Sequence, residues 1–468
     1  MKLNYFMFEQ FSPGEYLLTN ELGQFCFVDE SDFKKLTEDR YTDIREDTLS
    51  ELKEKCFVFE EAEVLFTNRV LQEYRNTKQY IFTGTCLHII VLTNRCNLNC
   101  VYCQAQDAEQ QSKGLMDLQT AEKTVDIILQ SPAHSLNIEF QGGEPLLNFD
   151  VIKHIVEYAD SRKNDKNLTY SVVTNTIALT DEMIDFFLGH NISVSTSLDG
   201  DVQLHNKNRP YRDGTGSFSR VVNNIKRLKE KGLDVGAIQT TTRASLDRGS
   251  QIVDAYLEAG LDTLFIRPLT PLGYAKGNWD AIGYKPEEFL QFYRETLSYI
   301  IKANLQGKNI KEGHAILFLS KILRSNFGNY MELRSPCGAG IGQMAYYYDG
   351  DIYTCDEARM LGEMGNDMFK VGNVNIDSYQ SIMDNKSTKI TCQASVLEAL
   401  PQCCDCVYHL YCGVCPVVNL AVGGNIFARE ANTYRCRIYK GMLDILFELI
   451  RKNGNELKIF RRWIYGEV

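Results

Sequence analysis

A chain of 468 residues is longer than one ordinary hydrophobic core, so two or three domains are expected. Its 44% hydrophobic and 24% charged shares are those of a folded soluble protein, and a net charge of −11 without a long basic run disfavours nucleic acid as partner. No apolar run approaches the roughly 18 residues of a membrane span, and the opening MKLNYFMFEQFSPGEYLL lacks a signal-peptide core, so a cytoplasmic protein with no membrane partner is expected. In chain order, residues 1–80 open with a hairpin, EYLLTN–ELG–QFCFVD (15–29), followed by helical candidates at 31–37 and 47–55 and by FVFEE. Six apolar, β-branched runs come next, at 86–92, 136–140, 168–173, 192–197, 234–240 and 263–267. Between them, residues 117–130, 147–159, 180–188, 217–231 and 247–259 have helical apolar spacing. Alternating strands and helices predict a parallel α/β sheet whose active site collects at the carboxyl ends of its strands.

The fifteen cysteines are unevenly placed: three fall within 96–103, nine within 337–436, and none between 104 and 336. In a reducing compartment that pattern argues for metal or cluster ligation over disulfides. The first group is Cys96-x₃-Cys100-x₂-Cys103, just after the first strand, with Tyr102 before the last cysteine. Three thiolates on a short loop can hold three irons of a [4Fe–4S] cube and leave the fourth open to a small molecule. A zinc site would want a nearby fourth ligand, and none follows before His134. The second strand runs into Gly142, Gly143, Glu144 and Pro145, where two glycines allow a close backbone approach and a carboxylate can accept from an ammonium.

Together these motifs resemble the radical S-adenosylmethionine (SAM) superfamily. The resemblance implies a partial (β/α)₆ barrel in which the open iron chelates SAM and GGEP binds its amino group. It also places Ser197 (in SLDG) and Arg209 on SAM, with Arg212 as rival, and adds Thr174 and Asn175 from the end of the third strand. One-electron cleavage of SAM would then yield a 5′-deoxyadenosyl radical that abstracts a substrate hydrogen, an external flavodoxin or ferredoxin supplying the electron.

The second cysteine region, Cys337, Cys355, Cys403-x₂-Cys406-x₅-Cys412-x₂-Cys415 and Cys436, resembles the SPASM domain, which holds two auxiliary [4Fe–4S] clusters. The last gap is one residue shorter than the usual pattern. The resemblance assigns Cys337, Cys355 and Cys415 to the first auxiliary cluster, and Cys403, Cys406, Cys412 and Cys436 to the second. Three clusters in all are implied. The stretch NYMELRSP before Cys337 has no cysteine, so the first auxiliary cluster is expected to keep an open iron or to take an unusual ligand such as Cys392. Cys404 is a spare, and the role of Cys86 stays open. The alternative is a zinc ribbon, since CxxC pairs also suit zinc. Asp356, next to Cys355, matches an aspartate that takes the substrate proton in SPASM enzymes maturing sulfatases.

The front segment resembles the small winged-helix leader-recognition element of peptide-modifying enzymes; the alternative is a cap that packs on the barrel. The expected domains are therefore 1–80, leader-recognition-like; 81–310, the barrel; and 311–468, the SPASM region with a C-terminal helix. Over YLLTNELG, QGGEPLLNF, STSLDG, TTTRASL, IRPLTPLGYA and DGDIYTCDEARMLGEMG the chain is most similar to His-Xaa-Ser system radical SAM maturases. That resemblance implies a ribosomally made precursor peptide, with leader and core, as substrate, and a thioether or other crosslink as product. A sulfatase-maturing, formylglycine-forming enzyme is the alternative. A molybdopterin-type cyclase would need only one auxiliary cluster, and a plain electron carrier would not explain GGEP.

Overall fold

The protein is described here by a computed structural model over residues 1–60, 64–105, 114–325, 327–427 and 433–466. It opens with β1 (Lys2–Leu3) and an antiparallel sheet of β2 (Phe6–Ser12), β3 (Glu15–Asn20) and β4 (Phe25–Asp29). Helices Glu30–Thr37 and Glu46–Glu54 follow, the first capped by Asp29 accepting from the Asp32 amide, and β5 (Val58–Phe59) returns to pair with β1. The hairpin and both helices fall where the sequence places them. β2 does not show in the sequence because its apolar side chains face both ways: Met7 is buried while Phe8 is exposed. This front unit has its own core of Leu18, Val28, Phe33, Leu36, Leu52 and Phe57. It is also tied to the second cysteine region, because Thr19 Oγ1 donates to the Val407 carbonyl (2.7 Å) and Tyr411 donates to the Gly23 carbonyl (2.9 Å).

The barrel strands are β6 (Leu87–Val91), β7 (Ser135–Gln141), β8 (Asn167–Val173), β9 (Ser193–Ser197), β10 (Val235–Thr240) and β11 (Thr263–Arg267), parallel and adjacent in chain order. Helices Leu118–Ile128, Phe149–Arg162, Asp181–Gly189, Phe218–Glu230 and Gly249–Glu258 connect them. Each strand alternates. On β7, Leu136, Ile138 and Phe140 are buried in the main core, while Asn137, Glu139 and Gln141 line the barrel's interior cavity.

The sheet does not stop at β11. β12 (Lys311–Glu312) extends that edge, and β13 (Gln343–Tyr346), β14 (Asp351–Tyr353) and β15 (Lys370–Asn373) extend the other beyond β6. Strands from beyond residue 310 thus join the barrel's sheet, with β13 parallel to β6, β14 antiparallel to β13, and β15 antiparallel to β14. β12 and β15 stand at opposite ends of the strand order, so the barrel is partial. Among the described residues no helix is long and apolar enough to cross a membrane.

Candidate active site

The loop after β6 carries Cys96, Cys100 and Cys103, and it is clamped from two sides. Gly143 N–H donates to the Thr93 carbonyl (2.7 Å) and Glu144 N–H to the Arg95 carbonyl (2.8 Å). From the other side, Asn99 N–H donates to Pro210 and Val101 N–H to Asn208, both at 2.9 Å, and Arg212 Nε donates to the Cys96 carbonyl (3.1 Å). The glycines are required by this packing: a Cβ on Gly143 would stand 2.3 Å from the Arg95 carbonyl oxygen, and one on Gly142 would stand 2.6 Å from that of Thr93. The close approach read from Gly-Gly is therefore to the chain's own cysteine loop. Arg212, the rival to Arg209, supports that loop from an exposed position.

The three cysteines face one interior cavity of about 660 Å³. Tyr102, Gly142, Gly143, Thr174, Asn175, Ser197, Arg209 and Asp356 line it too, drawn from the ends of four different strands and from the second cysteine region. Glu144 and Pro145 do not. Glu144 is fully buried, accepting from Thr174 Oγ1 (2.5 Å), the Asn175 amide (2.7 Å) and the Leu146 amide (3.1 Å), and Pro145 begins the short turn it caps. The amino-group acceptor expected of Glu144 is thus not presented to the cavity, because both its oxygens bind β7's end to β8's; the glycine backbone is presented instead. Burial pushes its carboxyl up to about 7, against the pull of those hydrogen bonds. Asn175 supports the loop through Nδ2, which donates to Asn97 Oδ1 (2.7 Å) and lies 3.7 Å from Cys96 Sγ.

Tyr102 and Arg209, both expected at the site, belong to a buried chain whose third group, Asp199, the sequence does not single out. Tyr102 donates to both oxygens of Asp199 (2.7 and 2.9 Å) and accepts from Arg209 Nη1 (2.7 Å). Asp199 is the aspartate of SLDG, and the only signal for it was its place after a strand. Arg209 Nε is buried with no hydrogen-bond partner among the described residues, an unmet donor beside the cysteines that an anionic or hydroxyl-bearing ligand would satisfy. His205 is a core histidine. Its Nδ1 accepts from the Asp199 amide, its Nε2 faces Ser217 Oγ, and burial brings its pKa down to about 3.

Asp356 faces the cavity from the side of the second cysteine region. Its Oδ1 takes both bonds from buried Arg359 (2.7 and 3.1 Å), and among the described residues Oδ2 accepts no hydrogen bond. Cys337, Cys355 and Cys415 are buried in one small core with Ala358 and Val417. Cys403, Cys406, Cys412 and Cys436 line a separate cavity of about 360 Å³, bounded by Phe8, Tyr408 and Leu443 and by the Glu9–Lys440 ion pair (2.8 Å). Cys404 does not line it. In the stretch before Cys337, Arg334 lies over the Tyr80 ring (4.4 Å) and its Nε donates to the Pro336 carbonyl (3.1 Å).

All fifteen cysteines are free thiols. Burial pushes Cys96 up to about 12 and Cys100 and Cys103 up to about 11, so these thiols ionise only against the charge of bound metal. Among the described residues no group of three or more His, Cys, Asp or Glu is spaced to hold a single metal ion. The donor sets fit iron–sulfur clusters by a different observation: the three loop thiols share one cavity with the unmet Arg209 donor and with Cys86, just before the first barrel strand, and four thiols share another.

Residues 90–249 match the family model of the Radical SAM superfamily. The chain is 24% identical over 330 residues to a cysteine-type anaerobic sulfatase-maturating enzyme of Clostridium novyi, covering 68% of this chain and 84% of that one. Among solved structures it is similar to native anSMEcpe with bound AdoMet (TM-score 0.69, 19% identity, 80% of this chain and 99% of that one). It is also similar to SuiB of Streptococcus suis bound to S-adenosylmethionine (TM-score 0.55, 16% identity, 91% and 98%). Both of those proteins have also been crystallised with peptides, Kp18Cys and the precursor peptide SuiA respectively. At these identities the two structures speak for the fold alone.

Proposed function

We propose, from the premise that this chain carries a radical SAM domain, that it is an enzyme modifying a ribosomally made precursor peptide. The observation that carries this reading is the single cavity shared by Cys96, Cys100 and Cys103, by Arg209 with its unmet donor, and by Asp356 from the second cysteine region. Cys96, Cys100 and Cys103 would hold a [4Fe–4S] cluster, which with SAM supplies methionine and a 5′-deoxyadenosyl radical. The backbone of Gly142 and Gly143, with Ser197 and Arg209, would seat SAM, and Tyr102 and Asp199 fix the Arg209 guanidinium. Thr174 and Asn175 act one step back, holding Glu144 and the cysteine loop.

Asp356 Oδ2 is the proposed acceptor of the substrate's proton, with Arg359 holding the carboxylate in place. Cys337, Cys355 and Cys415 would hold a first auxiliary cluster with an open iron, and Cys403, Cys406, Cys412 and Cys436 a second. The front unit would receive the leader, and a flavodoxin or ferredoxin would deliver the electron. Coexpression with the short peptide encoded beside this chain, followed by mass spectrometry, tests the reading. Loss of two hydrogens is the expected result, and a peptide unchanged in mass and stereochemistry would contradict it.

A second reading, formylglycine formation in a sulfatase, is favoured by the identity to the sulfatase-maturating enzyme and by Asp356 following Cys355. Incubation with a CxPxR-type peptide separates the two. Conversion of its Cys or Ser to formylglycine would establish the second reading in place of the first.

A further inference from the structure

We infer that Glu139 is the residue by which the barrel selects its substrate, receiving a positively charged side chain of the peptide. The inference rests on the reading of the chain as a peptide-modifying enzyme. β7 turns Glu139 into the cavity two residues inside Gln141, about 7 Å deeper along the strand than the glycine turn's edge. Its carboxylate accepts from Gln141 Nε2 (2.6 Å) and Ser171 Oγ (3.4 Å), both neutral.

The other charges on the cavity wall are paired. Asp356 has Arg359 at 2.7 Å. Glu357 has Arg267 at 3.2 Å, and Glu332 has Arg267 at 3.6 Å and Arg435 at 3.0 Å. Arg209 reaches Asp199 through Tyr102. Among the described residues Glu139 alone on this wall has no cation within ion-pairing distance, so the wall's leftover negative charge is centred on it. A carboxylate withdrawn from bulk water without a counter-ion is unfavourable, and an arriving ammonium or guanidinium removes that penalty. Asp356 and Arg267 line the same cavity and are both near enough for their charges to act on Glu139, but Arg267 is already engaged by Glu357 and Glu332. A side chain anchored at Glu139 therefore brings neighbouring peptide carbons beside the proposed proton acceptor.

The test uses the full chain, iron-loaded and with SAM, against an mRNA-displayed library of random twelve-residue peptides. Wild type is compared with Glu139→Gln, which keeps the shape and both hydrogen-bond partners, and with Glu182→Gln. Glu182 is an exposed glutamate on an outer helix, so its removal changes net charge equally without touching the cavity. Wild type and Glu182→Gln are expected to select pools rich in Lys and Arg, and Glu139→Gln a pool without that bias. In a selected peptide, Lys→Gln should weaken binding to wild type about tenfold and leave binding to Glu139→Gln unchanged. Pools of equal charge, or additive effects in that cycle, would overturn the assignment of Glu139 while leaving the peptide reading intact. If no peptide is retained by any of the three proteins while SAM is still cleaved, the peptide reading falls and the assignment with it.

Discussion

The two cysteine cavities are both lined by thiol side chains, in different surroundings. Beside Cys96, Cys100 and Cys103 the space is about 660 Å³ and walled by Glu139, Arg209, Arg267 and Asp356, with a buried donor still unmet. Beside Cys403, Cys406, Cys412 and Cys436 it is about 360 Å³, lined by Phe8, Tyr408 and Leu443, by the pair of the front unit's Glu9 with Lys440, and by Asp405, His409 and Arg435. A site that must admit SAM and a substrate as well as a cluster needs room and convergent polar groups. A site that only holds a cluster needs thiols and exclusion of water. On the proposed reading, what surrounds the cysteines divides radical generation from electron handling.

The largest expected effect breaks that division if it is wrong. Cys96→Ala should abolish 5′-deoxyadenosine formation, whereas Cys412→Ala should keep it while stopping peptide modification; each should lose about one cluster's iron. Equal loss of SAM cleavage in both variants would mean the two sites are not separate in function. Asp356→Asn should slow peptide modification by about 10²-fold or more with SAM cleavage retained. Because it leaves buried Arg359 without its charged partner, that variant is read together with its thermal midpoint. A normal midpoint with unchanged product formation removes Asp356 from the chemistry.

Tyr102→Phe removes the bridge between Asp199 and Arg209, and should weaken SAM binding by about 1.5–3 kcal/mol in equilibrium titration. The smallest effect belongs to the second cavity. Lys440→Met breaks a partly exposed pair with Glu9 and should change stability by no more than about 1 kcal/mol in denaturant unfolding. A much larger loss would show the front unit to be a structural part of that cavity.

The barrel strands could be read from the sequence to within a residue or two at each end, because outward-facing side chains such as Leu136, Ile138 and Phe140 repeat with the strand period. Pairing between distant segments could not. β13 lies beside β6 although some 250 residues separate them in the chain, and no local pattern encodes that partnership. The candidate site divides in the same way. The cysteine loop and Gly-Gly were visible as local motifs, but Glu144 turning inward to Thr174 and Asn175 depends on how two strand ends meet. Asp199, which anchors Tyr102, and Glu139, whose distinction is the absence of a counter-ion, emerge only when the surrounding charges are placed in space.

The most direct measurement is anaerobic: the protein is loaded with iron and sulfide, reduced, mixed with SAM, and assayed for 5′-deoxyadenosine alongside Cys96→Ala, Cys100→Ala and Cys103→Ala. The account predicts 5′-deoxyadenosine and methionine in equal amounts from the wild type and background from the three variants. No 5′-deoxyadenosine from a fully loaded wild type, or undiminished formation in any of the three variants, would contradict it.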